Sequence, residues 1–213
     1  MQISDQILFA NKKILQRMLK HRFVTDIHKD RLPLPVFHRY LVYEGAFVRT
    51  AISIFSYATA RAPDLASQRT LISILDALAN KQVPYFEKTI GKLSIPIPRK
   101  LPKAVIAFDN EMLDLSRDGS FIDIVTAMFA AEWMYWTWCS TASKCQITDP
   151  DLKAWIDLHA ASEFSAQAYW LKGRIDVYGK QSSAEHLSEI FDRVIHLEMA
   201  FHSAAYETST KKG

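Results

Sequence analysis

Glycine is scarce in this chain: there are six among 213 residues, and none falls in a GxGxxG or GxxxxGK[ST] pattern. Such glycines let backbone amides close in on phosphate, so dinucleotide and P-loop readings have no local support. HExxH and GxSxG are absent as well, which removes the zincin and serine-hydrolase patterns. Cysteine is limited to Cys139 and Cys145, six positions apart in one expected helix. That spacing suits neither a disulfide across one helix face nor a metal cluster, so a reduced, cytoplasmic setting is expected. No leader pattern opens the sequence and charges interrupt every long apolar stretch, so no membrane span is expected. Charge of one sign is lacking too: 26 Lys and Arg stand against 23 Asp and Glu, and their scatter provides no nucleic-acid footprint.

What is present is apolar sequence at helical spacing. The apolar fraction is 49% and the charged fraction 23%, a balance that fits a folded domain, expected to be all-α and to run as one unit over residues 1–213. Ser4 to about Thr25 reads as an amphipathic surface helix, and the stretch from Asp26 to Pro35 as a break. Helical patterns follow from Pro35 to about Ala60 and from Leu65 to about Ile90, the latter kinked or divided by Pro84. Leu93 to Pro102, with three prolines, is a connector. Helices resume over Lys103–Arg117, Phe121–Cys145, Pro150–Gly173 and Ser183–Glu207. The segment holding Phe129, Trp133, Met134, Trp136 and Trp138 is apolar on more than one face, which implies an interior helix, an oligomer contact or an aromatic pocket.

Polar residues inside these apolar helices are the candidates for chemistry. Glu44 has Tyr40 at i−4 and Phe47 at i+3, an arrangement that suits a carboxylate beside an aromatic ligand. The bland alternative is a carboxylate tied into a helix–helix hydrogen bond. Glu132, with Tyr135 at i+3, becomes a proton donor or acceptor if burial raises its pKa. Glu198 has His202 one turn later, and a surface Glu–His pair is the plain alternative to a pocket carboxylate. His159 and Glu163, also one turn apart, suit a polar relay or two metal ligands, although the paired spacings of a di-iron bundle are incomplete.

Three segments carry a resemblance: Phe37 to Glu44, Glu132 to Tyr135, and His196 to Phe201 followed by Tyr206. In order and separation they resemble the TenA or thiaminase II family of the haem-oxygenase-like multi-helical bundles. The resemblance spans most of the chain, from His21 onward. It implies a helical core enclosing an aminopyrimidine, hydrolysis of such a compound or cleavage of thiamin, no cofactor and no resident metal, and a homo-oligomer, with a tetramer favoured. By resemblance Glu44 holds the pyrimidine amine, with Tyr43, Phe47, His159 and His202 as further substrate contacts. Glu198, Glu132 and Tyr135 are the catalytic set.

The departures are chemical. Where the thiaminase II pattern has a nucleophilic cysteine this chain has Ala131, which has no nucleophile. Phe47 stands where a pocket tyrosine is usual, and His159 at another such position. Cys139, eight positions beyond Ala131, lies about 12 Å farther along an ideal helix and does not replace it. Three readings follow: carboxylate-driven hydrolysis of an amino- or formamido-pyrimidine, noncatalytic binding of a small aromatic heterocycle, and metal-dependent oxidation or cofactor biosynthesis. The last needs His159, Glu163 and His202 to converge with Glu132 or Glu198.

Overall fold

Pro33 and Pro35 stand at the threshold of the longest helix, where a missing amide hydrogen costs nothing because the first turn has no intrahelical partner for it. That helix, α4 (Leu34–Ala60), follows three short N-terminal ones, α1 (Ile3–Ala10), α2 (Lys12–Leu19) and α3 (Arg22–His28). In the computed structural model, residues 1–207 are described; the expected domain's last residues, 208–213, lie outside them. The chain continues through α5 (Leu65–Ala77), a π-helical turn at Leu78–Gln82, α6 (Val83–Lys92), α7 (Lys103–Asp118) and α8 (Phe121–Ala142). It ends with α9 (Pro150–Ala160), α10 (Ser162–Tyr178), a 3-10 turn at Gly179–Gln181, and α11 (Ala184–Ala204). Among the described residues there is no strand, so the all-α class is as expected.

The helix α8 is the axis of the packing. It touches α4, α7, α9, α10 and α11, which is why its sequence is apolar on nearly every face. Phe129, Met134 and Trp138 on it are at most 1% exposed, and burying such a side chain contributes about 1.5–3 kcal/mol. Its start is fixed by a capping box in which Ser120 accepts from the Asp123 amide and the Asp123 carboxylate accepts from the Ser120 amide. Asp149 and Ser183 cap α9 and α11 in the simpler way. Gly45 does not end α4: a Cβ there would lie 3.1 Å from that of Phe86, so the glycine lets α6 pack close.

Several boundaries differ from those read in sequence. The single N-terminal helix is three, because the Asn11 side chain donates to the carbonyls of Ile7 and Ser188 at 3.0 and 3.1 Å, and His21 accepts from the Phe23 amide to start α3. As a result the break after Asp26 is shorter, with α3 running to His28. The Leu65–Ile90 pattern is divided, as Pro84 suggested: a π turn widens the backbone just ahead of it, and Pro84 falls in the first turn of α6. The expected Pro150–Gly173 helix is two, since Ala161 turns extended at φ −64° and ψ 156°. No described helix is long and apolar enough to cross a membrane.

Candidate active site

Seven elements leave a cleft between them with roughly 590 Å³ of empty space. From α4 come Glu44, Phe47, Val48, Ala51 and Phe55, positions that recur every three to four residues and so share one helix face. Tyr43 is one position off that face, about 100° around the helix. It therefore lines a surface groove with Arg39, packed near Phe201, and not the cleft where a substrate contact was expected. On α8 the same logic places Ala131, Glu132 and Tyr135 in the wall, while Cys139 is fully buried elsewhere and its thiol is pushed well up by burial. The π turn supplies Leu78 and Gln82, α7 Phe108, α9 His159, α10 Phe164 and Gln167, and α11 Glu198 and Phe201.

Three carboxylates thus meet in one aromatic-walled cleft, each under 10% exposed. Glu44 is held from both sides. Oε2 accepts from the Trp155 indole at 2.6 Å, and Oε1 faces His159 Nε2 at 3.0 Å. His159 Nδ1 lies 2.9 Å from the Trp155 carbonyl, which can only accept, so Nδ1 carries the hydrogen. Nε2 is then the ring nitrogen that faces Glu44 Oε1.

Glu132 is held from one side only. Oε1 accepts from Gln167 at 2.6 Å, while Oε2 is buried without any hydrogen-bond partner. Burial raises its pKa from 4.5 to about 8, and the Gln167 bond pulls the other way. Glu198 is raised to about 8 by burial first and the nearby Glu44 charge second. Its Oε2 lies 3.4 Å from the Tyr135 hydroxyl.

His202 does not line the cleft. It stands behind Glu198, fully buried, with Nδ1 at 2.7 Å from the Glu198 backbone carbonyl and Nε2 at 3.4 Å from the Tyr40 hydroxyl. Burial pushes its pKa down to about 3, so it is a neutral imidazole and not half of a surface ion pair. Tyr40 in turn meets the Tyr135 hydroxyl in a close contact. The ligand set imagined for a metal does not assemble: Glu163, beyond the break at Ala161, is exposed and bonded to Ser162, and among the described residues no three His, Cys, Asp or Glu side chains are arranged to hold a metal ion.

Sequence reasoning missed Trp155, Gln167 and the part played by Tyr40. Trp155 had one legible signal, its place one turn before His159. Gln167 had none, because it reaches Glu132 across 35 positions of chain and a helix break that nothing local marks.

Comparison with known proteins agrees with this architecture. The chain is 25% identical over 198 residues, 87% of each chain, to an aminopyrimidine aminohydrolase of Halalkalibacterium halodurans. It is 22% identical to an aminopyrimidine aminohydrolase of Helicobacter pylori, over 98% of this chain and all of that one. Among solved structures, a TenA homologue from Pyrococcus furiosus superposes with a TM-score of 0.88 at 21% identity, covering 96% of this chain and 100% of its own. A TenA homologue from P. horikoshii does so equally well, at 19% identity over 97% and 99% of the two chains. At those identities the structures speak for the fold alone. The TENA/THI-4/PQQC family model matches residues 8–208, and the chain belongs to that family.

Proposed function

We propose that this chain hydrolyses an aminopyrimidine related to thiamin, and does so with carboxylates in place of a cysteine nucleophile. The observation that carries this reading is Glu132: a buried carboxylate with one oxygen unpartnered, in the wall of a cleft that the buried Glu198 also lines. Two carboxyl groups with raised pKa values in one cleft are suited to proton transfer near neutral pH. The names of the two curated relatives supply the substrate class.

In the reaction, water attacks the carbon bearing the amine. A C–O bond forms and the C–N bond breaks; one carboxylate takes a proton from water and one carboxylic acid gives a proton to the departing nitrogen, so R–NH2 and water become R–OH and ammonia. Glu44, steadied by Trp155 and His159, presents an accepting carboxylate oxygen to the amine edge of the heterocycle. Phe47, Phe108 and Phe201 surround the ring with apolar area, and Tyr135 positions the reacting groups.

A second reading has its own observation. Ala131 lines the cleft where the resemblance has its nucleophile, which suits a protein that binds the heterocycle without turning it over. One experiment separates the two: incubate the protein with thiamin-related aminopyrimidines and formamidopyrimidines, follow ammonia or formate release, and measure binding by calorimetry. Product that disappears in Glu198→Gln supports hydrolysis; binding without product establishes the binding protein. The resemblance also assigns this reading a homo-oligomer, a tetramer by preference, which light scattering on the purified chain tests.

A further inference from the structure

Behind Glu198 lies a line of groups, Tyr135, Tyr40 and His202, of which the hydrolytic reading uses Tyr135 alone; the other two stand outside the cleft wall. The direction of every hydrogen bond in that line follows from one fixed end. His202 Nδ1 faces a backbone carbonyl of its own helix at 2.7 Å, and a carbonyl only accepts. Nδ1 therefore carries the hydrogen, and in the neutral ring Nε2 is left as a bare acceptor. Oε2 of Glu198 is farther from Nδ1, at 3.5 Å, and loses the competition for that hydrogen.

From there the assignments run outward. Tyr40 is the group against Nε2, so the Tyr40 hydroxyl donates to it. Its oxygen is then free to accept, and Tyr135 spends its only hydroxyl hydrogen on Tyr40. Tyr135 consequently meets Glu198 with an oxygen lone pair and no hydrogen. Across that 3.4 Å contact a carboxylate would face a lone pair, whereas a carboxylic acid donates into it. The apolar casing of Phe23, Trp138 and Phe201 around Tyr40, Tyr135 and His202 excludes the water that would otherwise supply substitute donors.

We propose that Tyr40 and His202 are positioning residues that fix the polarity of this hydrogen-bond line and so hold Glu198 as the acid of the site, leaving Glu132 as its base. Glu132 differs in its bonds: the Gln167 amide donates to one oxygen, which works against the burial that raises its pKa to about 8, and the other oxygen has no bond to lose when it takes a proton from water. After one turnover the proton gained by Glu132 returns to Glu198 through the cleft. This assignment rests on the hydrolytic reading for its consequence in catalysis, but the polarity of the line does not.

The titratable groups that share the cleft or the hydrogen-bond line with Glu198 are Glu44 and Tyr40 from α4, Glu132 and Tyr135 from α8, His159 from α9 and His202 on α11. His21, which opens α3, stands with its ring 6.0 Å from that of His202. From α7 the ionic contact to α11 is Glu111 with Arg193, on the exposed side. The Glu44 charge disfavours the Glu198 anion, and both Glu44 and Glu132 are unchanged in the variants below.

The test is a pH titration of the Glu198 carboxyl by difference infrared spectroscopy on the full chain, with the acid band identified by its loss in Glu198→Gln. Tyr40→Phe deletes the acceptor that consumes the Tyr135 hydrogen, which then turns to Glu198 and stabilises its anion. The midpoint is expected to fall by one pH unit or more, at least tenfold in the protonation constant. Tyr135→Phe removes that donor altogether and is expected not to lower the midpoint. A merely structural role predicts no such opposition between two conservative changes. An unmoved or raised midpoint in Tyr40→Phe overturns the proposal. If Tyr40→Phe does not fold, His202→Leu makes the same prediction, since Tyr40 without its acceptor turns its hydrogen to Tyr135. No substrate enters the titration, so absence of pyrimidine turnover would remove the hydrolase reading and leave this result standing.

Discussion

The carboxylates of the cleft are treated in opposite ways. Glu44 has both oxygens engaged, by the Trp155 indole and by the His159 imidazole. Glu132 has one oxygen without a partner, and the contacts to the Glu198 carboxyl are long, 3.4 Å to the Tyr135 hydroxyl and 3.5 Å to His202 Nδ1. Leaving a buried polar atom unpaired costs about 1–3 kcal/mol, so the under-bonded pair is the less stable part of the cleft. A carboxylate that is fully bonded is held in place; one that is under-bonded has capacity left for a proton. On the hydrolytic reading proposed above, Glu44 would orient the heterocycle and the under-bonded pair would act on it.

The largest expected effect falls on the under-bonded pair. Glu198→Gln keeps the shape but cannot give up a proton, and turnover of an aminopyrimidine should fall by about 10²–10⁴ while KM changes little. Glu132→Gln should cost a similar factor. Steady-state kinetics on both variants decides this, and a pure KM effect in either would erase the distinction between bonded and under-bonded carboxylates. Next in size is Glu44→Gln, which weakens the contacts to Trp155 and His159. A loss of about 1.5–3 kcal/mol in substrate binding is expected, roughly 10- to 100-fold in KM, with kcat nearly kept.

Stability should follow pH with a sign that also separates the groups. Glu132 and Glu198 have folded-state pKa values raised from 4.5 to about 8, so the folded protein holds their protons where the unfolded chain has lost them. Their contribution is greatest below pH 4.5 and is lost as pH rises to about 8. His202, lowered from 6.5 to about 3, acts in the reverse sense: stability grows as pH rises through that window. Between pH 6.5 and 8 the carboxyls alone decide, and the protein should lose stability. Glu132→Gln should flatten that decline, seen as a smaller drop in Tm over the same interval. The smallest effect is reserved for Gln167→Met. With its one donor gone, Glu132 becomes harder to ionise, and the acidic limb of the kcat/KM profile should move to higher pH, with about a tenfold loss at neutrality.

Much of this cleft could be read from residue order, and the limits of that reading are specific. Glu44, Phe47, Glu132, Tyr135, His159 and Glu198 all reach the cavity, because each sits on an apolar helix face whose period is fixed by local geometry. Tyr43 does not, for the same geometric reason applied one position away. His202 was legible as a partner of Glu198 but not as a buried one, since an i,i+4 pair looks identical on a surface and in a core until the neighbouring helices are placed. The bonds that set the chemistry join residues far apart in the chain: Trp155 to Glu44 across 111 positions, Gln167 to Glu132 across 35, Tyr40 to His202 across 162.

The sequence by itself determined the helices, the start of α4 at its prolines, the facing of its acids and the absence of a nucleophile at Ala131, because each depends on dihedral preference, periodicity or composition within a few residues. Only the tertiary structure decided where α9 gives way to α10, which carboxylate is satisfied and which is left short, and the direction of the hydrogen bonds behind Glu198. Burial and hydrogen-bond partners are properties of packed neighbours, and the helices that supply them are brought together only when the chain closes around α8.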